Sequence, residues 1–220
     1  MITDWLHPGL LYFLGAALLP LLFRTRAEGR IRQLCLLLIP LLAILCVCFM
    51  LMNAPSEGSF WHAHFIGLEL ILGHVDKLSL LFALVFTVMS LIGMIYALHL
   101  KANGEHVATY LYIGSALGVV FAGDYFTLFV FWELLALTSV FLIWARRTDR
   151  AYSSGFRYLL FQILSGVLLL AGLLIFAQVN NSLLFTHIGL DHDGIAQVGA
   201  WLIFFAFGIK CAFPFMHTWL

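Results

Sequence analysis

Two ionisable side chains, Glu133 and Lys210, lie deep inside apolar stretches of this 220-residue chain. The acid stands within LFVFWELLALT and the base within FFAFGIKCAFP. A charge at the centre of a membrane helix costs about 2.5–3.5 kcal/mol, so such residues usually pair with one another or mark an ion path. The two residues therefore predict either a pair that transfers protons or a static salt bridge that fixes helix packing.

The distance between these two charges controls which protonation states are favoured. A nearby opposite charge favours the ionised form of each group, whereas burial in an apolar medium favours the neutral form. If both helices run in the same direction, the two Cα atoms differ in depth by roughly 9 Å, which a lysine side chain can largely cover. Movement of the two groups apart or together would therefore load or release a proton.

The sequence around Lys210 predicts an irregular point in its helix. Pro214 follows the lysine by four residues, and Gly208 precedes it by two. Proline has no N–H, so in a continuous helix the carbonyl of Lys210 would lose its partner and need water, a side chain or another helix. We expect a hydrated, bendable site here, and a plain proline kink is the alternative.

One face of the predicted sixth helix carries polar and small residues, namely Tyr158, Gln162, Ser165, Gly166 and Gly172. Such a face either lines water beside the charged pair or allows two helices to pack tightly. Further along, His217 is a candidate to pass a proton onward from Lys210.

The elements that position these residues must be membrane helices. Hydrophobic residues make up 63% of the chain and charged residues 10%, against about 45–50% and 25% in soluble domains. This composition predicts an all-α integral membrane protein that crosses the cell inner (plasma) membrane several times. The charge is balanced at 11 basic and 11 acidic residues, and we see no basic patch that predicts a nucleic-acid partner.

Seven segments are apolar and long enough to be spans, given about 20 residues per crossing. They are residues 9–23, 34–52, 78–98, 108–122, 125–144, 158–176 and 197–216. No soluble domain fits between them, so residues 1–220 are predicted to form a single transmembrane domain. The outer loop, 53–77, has the alternating pattern of a short hairpin.

The positive charges predict the orientation of the helices. If the seven helices alternate, nine of the eleven lysine and arginine residues fall in loops on one side. This bias is typical of cytoplasmic loops, so we predict that the N-terminus lies outside. The histidine pairs lack a third partner at useful spacing and the cysteines form no C-x-x-C motif, so no metal site is predicted.

The stretch from Gly123 to Trp144 resembles the glutamate helix of antiporter-like membrane subunits. These occur in respiratory complex I, membrane-bound hydrogenases and Mrp-type multisubunit cation/proton antiporters. HVDKLSLLFALVF resembles the start of the family's third helix. GIKCAFPFMHTWL resembles the family's broken lysine helix, and its sequence is similar to that of the D-type subunits of Mrp antiporters. The resemblance covers most of the chain from His74 onward.

The resemblance implies that Glu133 and Lys210 match the family's proton-translocating glutamate and lysine. It implies no redox cofactor in this chain, because redox centres of such complexes lie in partner subunits. Family members have about fourteen helices in two inverted repeats, and this chain corresponds to the first part of one. The chain is then either one half of a split subunit, completed by another chain that supplies the later helices, or a truncated product. In either case we expect other membrane subunits as partners.

Three functions follow from these observations. The first is a proton or cation/proton translocating subunit of a membrane complex. The second is a structural membrane subunit in which Glu133 and Lys210 only fix helix packing. A membrane enzyme with its own active site finds little support, because the predicted spans contain no nucleophile–base set or ligand cluster.

Overall fold

The computed structural model describes residues 5–24, 29–53, 57–65, 68–180, 182–185 and 194–215. In this part, the chain forms seven α-helices and one two-stranded antiparallel sheet. Their bounds are α1 Pro8–Arg24, α2 Arg30–Asn53, β1 Glu57–Phe65, β2 Leu68–Asp76, α3 Lys77–Ala97, α4 Asn103–Val120, α5 Tyr125–Trp144, α6 Asp149–Asn180 and α7 Ile195–Lys210.

Four of these helices, α2, α3, α5 and α6, are long and apolar enough to cross a membrane. The apolar helices α1 and α7 are shorter. The mainly helical, membrane-embedded fold predicted from the composition is therefore present. The count of seven spans and the side on which the N-terminus lies stay predictions.

The chain divides into two compact units, residues 1–122 and 123–220. In the first unit, α1 packs on α4 and α2 packs on α3. The approach of α1 to α4 is close, because a Cβ added to Gly9 would lie 2.9 Å from the carbonyl oxygen of Gly114. The core of this unit includes the buried side chains of Tyr12, Leu36 and Met50.

A proline inside α2 is accommodated by a tyrosine from α4. Pro40 has no N–H, so the carbonyl of Leu36, four residues earlier, has no donor from its own helix at that position. The hydroxyl of Tyr110 donates a hydrogen bond to this carbonyl. A carbonyl freed inside an apolar layer must be satisfied by a neighbour, and Tyr110 supplies the hydrogen bond.

The predicted hairpin is present in the outer loop. Strand β1 pairs with β2 from Glu57 opposite Asp76 to Phe65 opposite Leu68. The strand pair is tied to α4 by a hydrogen bond of 2.7 Å from the His74 amide to the Phe121 carbonyl. Asp76 then caps α3 by accepting a hydrogen bond from the Ser79 amide.

The second unit is built around α6, which packs against both α5 and α7. Helix α5 begins at a buried cap, where the Asp124 carboxylate accepts from the amide and the hydroxyl of Thr127 at 2.8 and 2.6 Å. The core of this unit includes Leu169 and Phe176 of α6 and Ile203 of α7.

Several helix bounds differ from the predicted segments, and the start of α6 and the end of α7 differ most. Helix α6 begins at Asp149 rather than near residue 158, because its first turns are polar and escape a hydropathy criterion. With 32 residues it is about 48 Å long, longer than the roughly 30 Å apolar layer. Helix α7 ends at Lys210 rather than at residue 216, for reasons of local backbone geometry described below.

Candidate functional site

Glu133 lies on the face of α5 that meets α6. Its carboxylate packs directly on Gly166, where an added Cβ would overlap Oε1 and lie 2.6 Å from Cδ. A glycine at this position is therefore what leaves room for the acid between the two helices. Oε1 is buried and has no hydrogen-bond partner among the described residues.

Lys210 reaches α5 from the end of α7. Its Nζ donates a long hydrogen bond of 3.5 Å to the carbonyl of Trp132, the residue before the acid. The same ammonium lies over the Trp132 indole, 4.7 Å from the ring centroid. Trp132 also stacks edge-on with Phe207 of α7, with ring centroids 4.8 Å apart.

The acid and the base are neighbours but not a close ion pair. Ion pairs within 4.0 Å in the described part of the chain lie in the hairpin, at His62–Glu69 and His74–Glu57. The charges of Glu133 and Lys210 nevertheless interact electrostatically. The lysine is held by the backbone and ring of Trp132, while the carboxylate faces Gly166.

Helix α6 connects the two charged residues through adjacent positions. Ser165, which is fully buried, donates a 2.9 Å hydrogen bond to the carbonyl of Ala206, one turn before Lys210. Its neighbour Gly166 contacts the Glu133 carboxylate. Two consecutive residues of α6 thus fix the helical turn that carries the base and the side chain that carries the acid.

The helix around the lysine ends before Pro214, which corrects the prediction of a helix that continues over residues 197–216 with a bend or kink near Lys210. Ala212 has φ 55°, and the amides of Ala212 and Phe213 bond the carbonyls of Ile209 and Gly208. These two bonds form a Schellman motif, which satisfies carbonyls at a helix C-terminus. Since α7 has already ended at Lys210, Pro214 does not remove a bond from its interior.

This ending has two consequences for Lys210 and Gly208. The lysine lies in the last turn of α7, where the negative end of the helix dipole stabilises a cation. The ring of Phe213 packs on Gly208, where an added Cβ would lie 2.9 Å from Cδ2. Gly208 therefore allows the chain to fold back over its own helix.

The predicted polar face of α6 divides between two neighbouring helices. Tyr158 and Ser139 of α5 share a hydrogen bond of 2.7 Å between their hydroxyls. Gln162 is 1% exposed, and its Oε1 has no partner among the described residues. Gly172 instead packs against α7, where an added Cβ would lie 2.8 Å from the Gly199 carbonyl oxygen.

Two residues of this site were missed by the analysis of the sequence. Trp132 holds the lysine, but an aromatic residue in an apolar helix is also typical of a lipid-facing position. Ser139 is a single hydroxyl residue among apolar neighbours, and this pattern does not indicate a functional residue. Its position six residues after Glu133 in the same helix was the one clue in the sequence. His217, which was predicted to pass a proton onward, lies outside the described residues.

These contacts define the class of the protein, an integral membrane protein with ionisable groups inside its apolar helices. A family model described as NADH:quinone oxidoreductase/Mrp antiporter, TM matches residues 122–220, the second unit with its acid and base. Over these residues the chain is similar to this family of antiporter-like membrane subunits.

Individual relatives agree with this assignment. The Na(+)/H(+) antiporter subunit A1 of Staphylococcus aureus is 27% identical over 182 residues, which cover 76% of this chain and 22% of that protein. This relative is named subunit A1 of its antiporter. The sequence GIKCAFPFMHTWL around Lys210, in contrast, resembles the D-type subunits. The chain thus spans less than a quarter of the length of the curated relatives it matches.

Solved structures share the fold. A chain of respiratory complex I from Thermus thermophilus matches with a TM-score of 0.80 at 20% identity, covering 97% of this chain and 45% of that one. A chain of the Mrp complex from Dietzia sp. DQ12-45-1b matches with a TM-score of 0.77 at 24% identity, covering 91% of this chain and 23% of that one.

Proposed function

We propose that this chain is a proton or cation/proton translocating subunit of a multisubunit complex in the inner (plasma) membrane. Glu133 and Lys210 are its proton-transfer pair, and other membrane subunits of the complex are its partners. The contact that carries the proposal is the ammonium of Lys210 on Trp132, one residue from an acid whose Oε1 has no hydrogen-bond partner within the described residues.

The geometry supports proton transfer because each charged group is held but not neutralised. The lysine rests on a carbonyl and an aromatic face, which stabilise an ammonium and accept no proton from it. The acid keeps a free oxygen that can accept a proton. A proton that leaves the Lys210 ammonium and reaches Glu133 makes both groups neutral, and its return restores both charges.

Electrostatics makes this transfer responsive to movement. At about 4 Å and an effective dielectric near 20, opposite charges attract by about 4 kcal/mol, and this attraction weakens as they separate. A shift of the lysine from Trp132 towards Glu133 would therefore stabilise the charged pair, and a shift away would favour the neutral pair. Lysine carries its ammonium on a flexible four-carbon stem, which allows such a movement.

The competing function is a scaffold in which the two charges only stabilise helix packing. The absence of a close ion pair between Glu133 and Lys210, both described residues, disfavours it, because a packing device would bring the charges into direct contact. Substitution separates the two functions, because a scaffold role affects the amount of the chain and a transport role affects its turnover.

The test uses everted membrane vesicles from cells that express the chain with its native neighbouring subunits. Respiration acidifies the vesicles, and addition of sodium or potassium ions reports cation/proton exchange as a rise in the fluorescence of a pH-sensitive dye. We expect Glu133→Gln and Lys210→Ala each to lower the exchange rate per chain by about 100-fold or more, as expected for a proton-transfer group. The amount of chain in the membrane is measured by immunoblot.

A parallel loss of chain and exchange, with normal turnover of the chain that remains, would favour the scaffold. Vesicles without an added cation report proton movement alone and separate proton translocation from cation/proton exchange. Thr138→Val is the matched control, because Thr138 is a buried α5 residue whose hydroxyl bonds only carbonyls of its own helix, Leu134 and Leu135.

A further inference from the structure

Helices α5 and α6 contact one another at regular intervals along an antiparallel interface. Three contacts fix their register, namely Glu133 with Gly166, Ser139 with Tyr158, and Trp144 with Gly155. From the first contact to the second, α5 advances six residues and α6 goes back eight. The interface is therefore continuous from the acid to the arginine-bearing end of the two helices.

Gln162 falls midway between the acid and the hydroxyl pair. It is four residues from Gly166 and four from Tyr158, so all three share one face of α6. The facing position on α5 is Ala136, three residues from Glu133 and three from Ser139, and it is small and 1% exposed.

Two buried hydrogen-bond acceptors along this interface lack donors within the described residues. Glu133 Oε1 and Gln162 Oε1 are both buried acceptors without a partner within the described residues. An unsatisfied acceptor in an apolar layer costs about 1–3 kcal/mol, so two of them on adjacent turns predict a donor between them. Protonated Glu133 is itself such a donor, and water is another, with the Ser139–Tyr158 hydroxyls as a third partner.

We propose that the α5–α6 interface carries a proton track from the Ser139–Tyr158 hydroxyl pair to Glu133, and that Gln162 is its positioning residue. The inference rests on the proposed function, since it names the route by which the acid is loaded. Six residues of α5 separate the hydroxyl pair from the acid by about 9 Å along the helix, so water completes the track.

Each transfer leaves the hydroxyls unchanged. A hydroxyl of the pair gives its proton to the water beside Gln162 and takes one from solvent at the arginine-bearing end. The water gives its own proton to the Glu133 carboxylate, which becomes the neutral acid. Gln162 gains and loses no proton, and its Oε1 accepts a hydrogen bond that holds the water or the acid in line.

The experiment uses the same everted vesicles with the chain in its complex. Gln162→Met keeps the length of the side chain and removes the acceptor oxygen. We expect it to lower exchange per chain by about tenfold, the effect of losing one hydrogen bond to an ionisable group. We also expect a larger ratio of rates in H2O and D2O than for the unmodified chain, because proton delivery becomes rate-limiting.

A double variant tests whether the residues act on one route. If Ser139→Ala and Gln162→Met interrupt the same track, the double variant is no slower than the slower single variant, whereas independent effects multiply. Thr138→Val, as the control in the same helix, is expected to exchange at the unmodified rate and with an unchanged isotope ratio.

Three outcomes overturn the proposal. In the first, Gln162→Met exchanges normally; in the second, it loses chain from the membrane with an unchanged isotope ratio; in the third, the two single effects multiply. Glu133→Gln in the same vesicles distinguishes the failures. If that variant is inactive while Gln162→Met is normal, only the track is wrong, whereas an active Glu133→Gln overturns the proposed function as well.

Discussion

Within residues 1–122, the buried hydroxyl side chains have hydrogen-bond partners in the same unit, and among the described residues only Nε2 of His7 is a buried side-chain polar atom of this unit without one. Tyr12 and Ser90 share a hydrogen bond between α1 and α3, and Tyr110 of α4 bonds the Leu36 carbonyl of α2. Thr87 bonds the carbonyl of Ala83 on its own helix. These groups stabilise helix packing, and their satisfied bonds leave little capacity for another donor.

Residues 123–220 differ in this respect. Of the five buried side-chain polar atoms without a partner in the described part of the chain, four belong to α5 and α6, namely Trp132 Nε1, Glu133 Oε1, Trp144 Nε1 and Gln162 Oε1. Such atoms are costly in an apolar layer. Glu133 and Trp144 of α5 contact glycines of α6, whereas Trp132 faces α7. The comparison teaches that the buried hydroxyls of the first unit stabilise its packing, whereas the second unit contains two buried acceptors without a partner among the described residues, Glu133 Oε1 and Gln162 Oε1. Substitutions in the two units should therefore separate stability from transport.

Among the substitutions that compare the two units, the one at Gly166 has the largest expected effect. Gly166→Ala places a Cβ where Glu133 Oε1 lies, so the carboxylate must leave its position. We expect exchange per chain to fall by about tenfold or more, because overpacking of this kind costs about 1–3 kcal/mol. Gly93→Ala is the control, since nothing lies within 4 Å of its added Cβ on α3. Equal exchange in both variants would show that the position of the carboxylate does not matter.

The next effect concerns the support of the lysine. Trp132→Leu removes the indole face beneath Nζ, whereas Trp132→Phe keeps a smaller aromatic face. A cation–π contact is worth about 0.5–2 kcal/mol, so we expect exchange to fall about threefold to tenfold in the leucine variant and less in the phenylalanine variant. Trp201→Leu on α7 is the control for loss of a tryptophan. A ranking in which phenylalanine is no better than leucine would argue against this support.

A substitution in the first unit should change stability alone. Tyr110→Phe leaves the Leu36 carbonyl, already without a donor from Pro40, unsatisfied in an apolar interior. We expect the variant to unfold more easily in detergent by about 1–3 kcal/mol, while exchange per chain stays normal. If Tyr110→Phe instead reduced exchange per chain and left stability unchanged, the polar groups of the first unit would not act on stability alone. The contrast drawn between the two units would then be wrong.

The smallest effect is a dependence of stability on pH in the first unit. His7 precedes α1, its Nδ1 accepts from the Gly9 amide, and burial lowers its pKa to about 4. An unfolded histidine has a pKa of about 6.5, so between about pH 6.5 and 4 the unfolded chain binds a proton that the folded chain does not. The contribution of neutral His7 to stability is therefore complete above about pH 6.5 and decreases as the pH falls towards 4.

Thermal unfolding of the purified chain in detergent at about pH 7 and about pH 5 measures this dependence. We expect His7→Gln to be less sensitive to pH than the unmodified chain. His62→Gln, at an exposed hairpin position, should keep the full dependence. An equal response of all three proteins would show that His7 does not titrate on unfolding.

Much of this arrangement could be predicted from residue types alone. Glu133 and Lys210 are conspicuous because charges are rare in apolar helices, and the alternating pattern in the loop 53–77 predicted the hairpin. The bounds of α6 were harder to predict from the sequence, because hydropathy detects the apolar part of a helix and not its polar first turns. The same limit applies to any helix that extends beyond the lipid.

The structure of the lysine segment shows why a local rule failed. The proline argument assumed a helix that continues to Pro214, but Ala212 adopts a left-handed conformation and ends it first. Nothing in the sequence marks an alanine for that conformation, which favours glycine or asparagine. The same argument applied to Pro40 holds, because α2 continues through it and Tyr110 is available. Contacts such as Trp132 with Lys210 depend on which helix faces become neighbours, and one sequence does not specify this.

The central claim is that Glu133 and Lys210 act as one unit, and a double-variant cycle tests it most directly. Exchange per chain is measured in everted vesicles for Glu133→Gln, Lys210→Gln and the two combined. If proton transfer needs both groups, the double variant is about as slow as the slower single variant, because residues that act as a unit are not additive. Multiplication of the two single effects, or a normal rate in either single variant, would contradict the account.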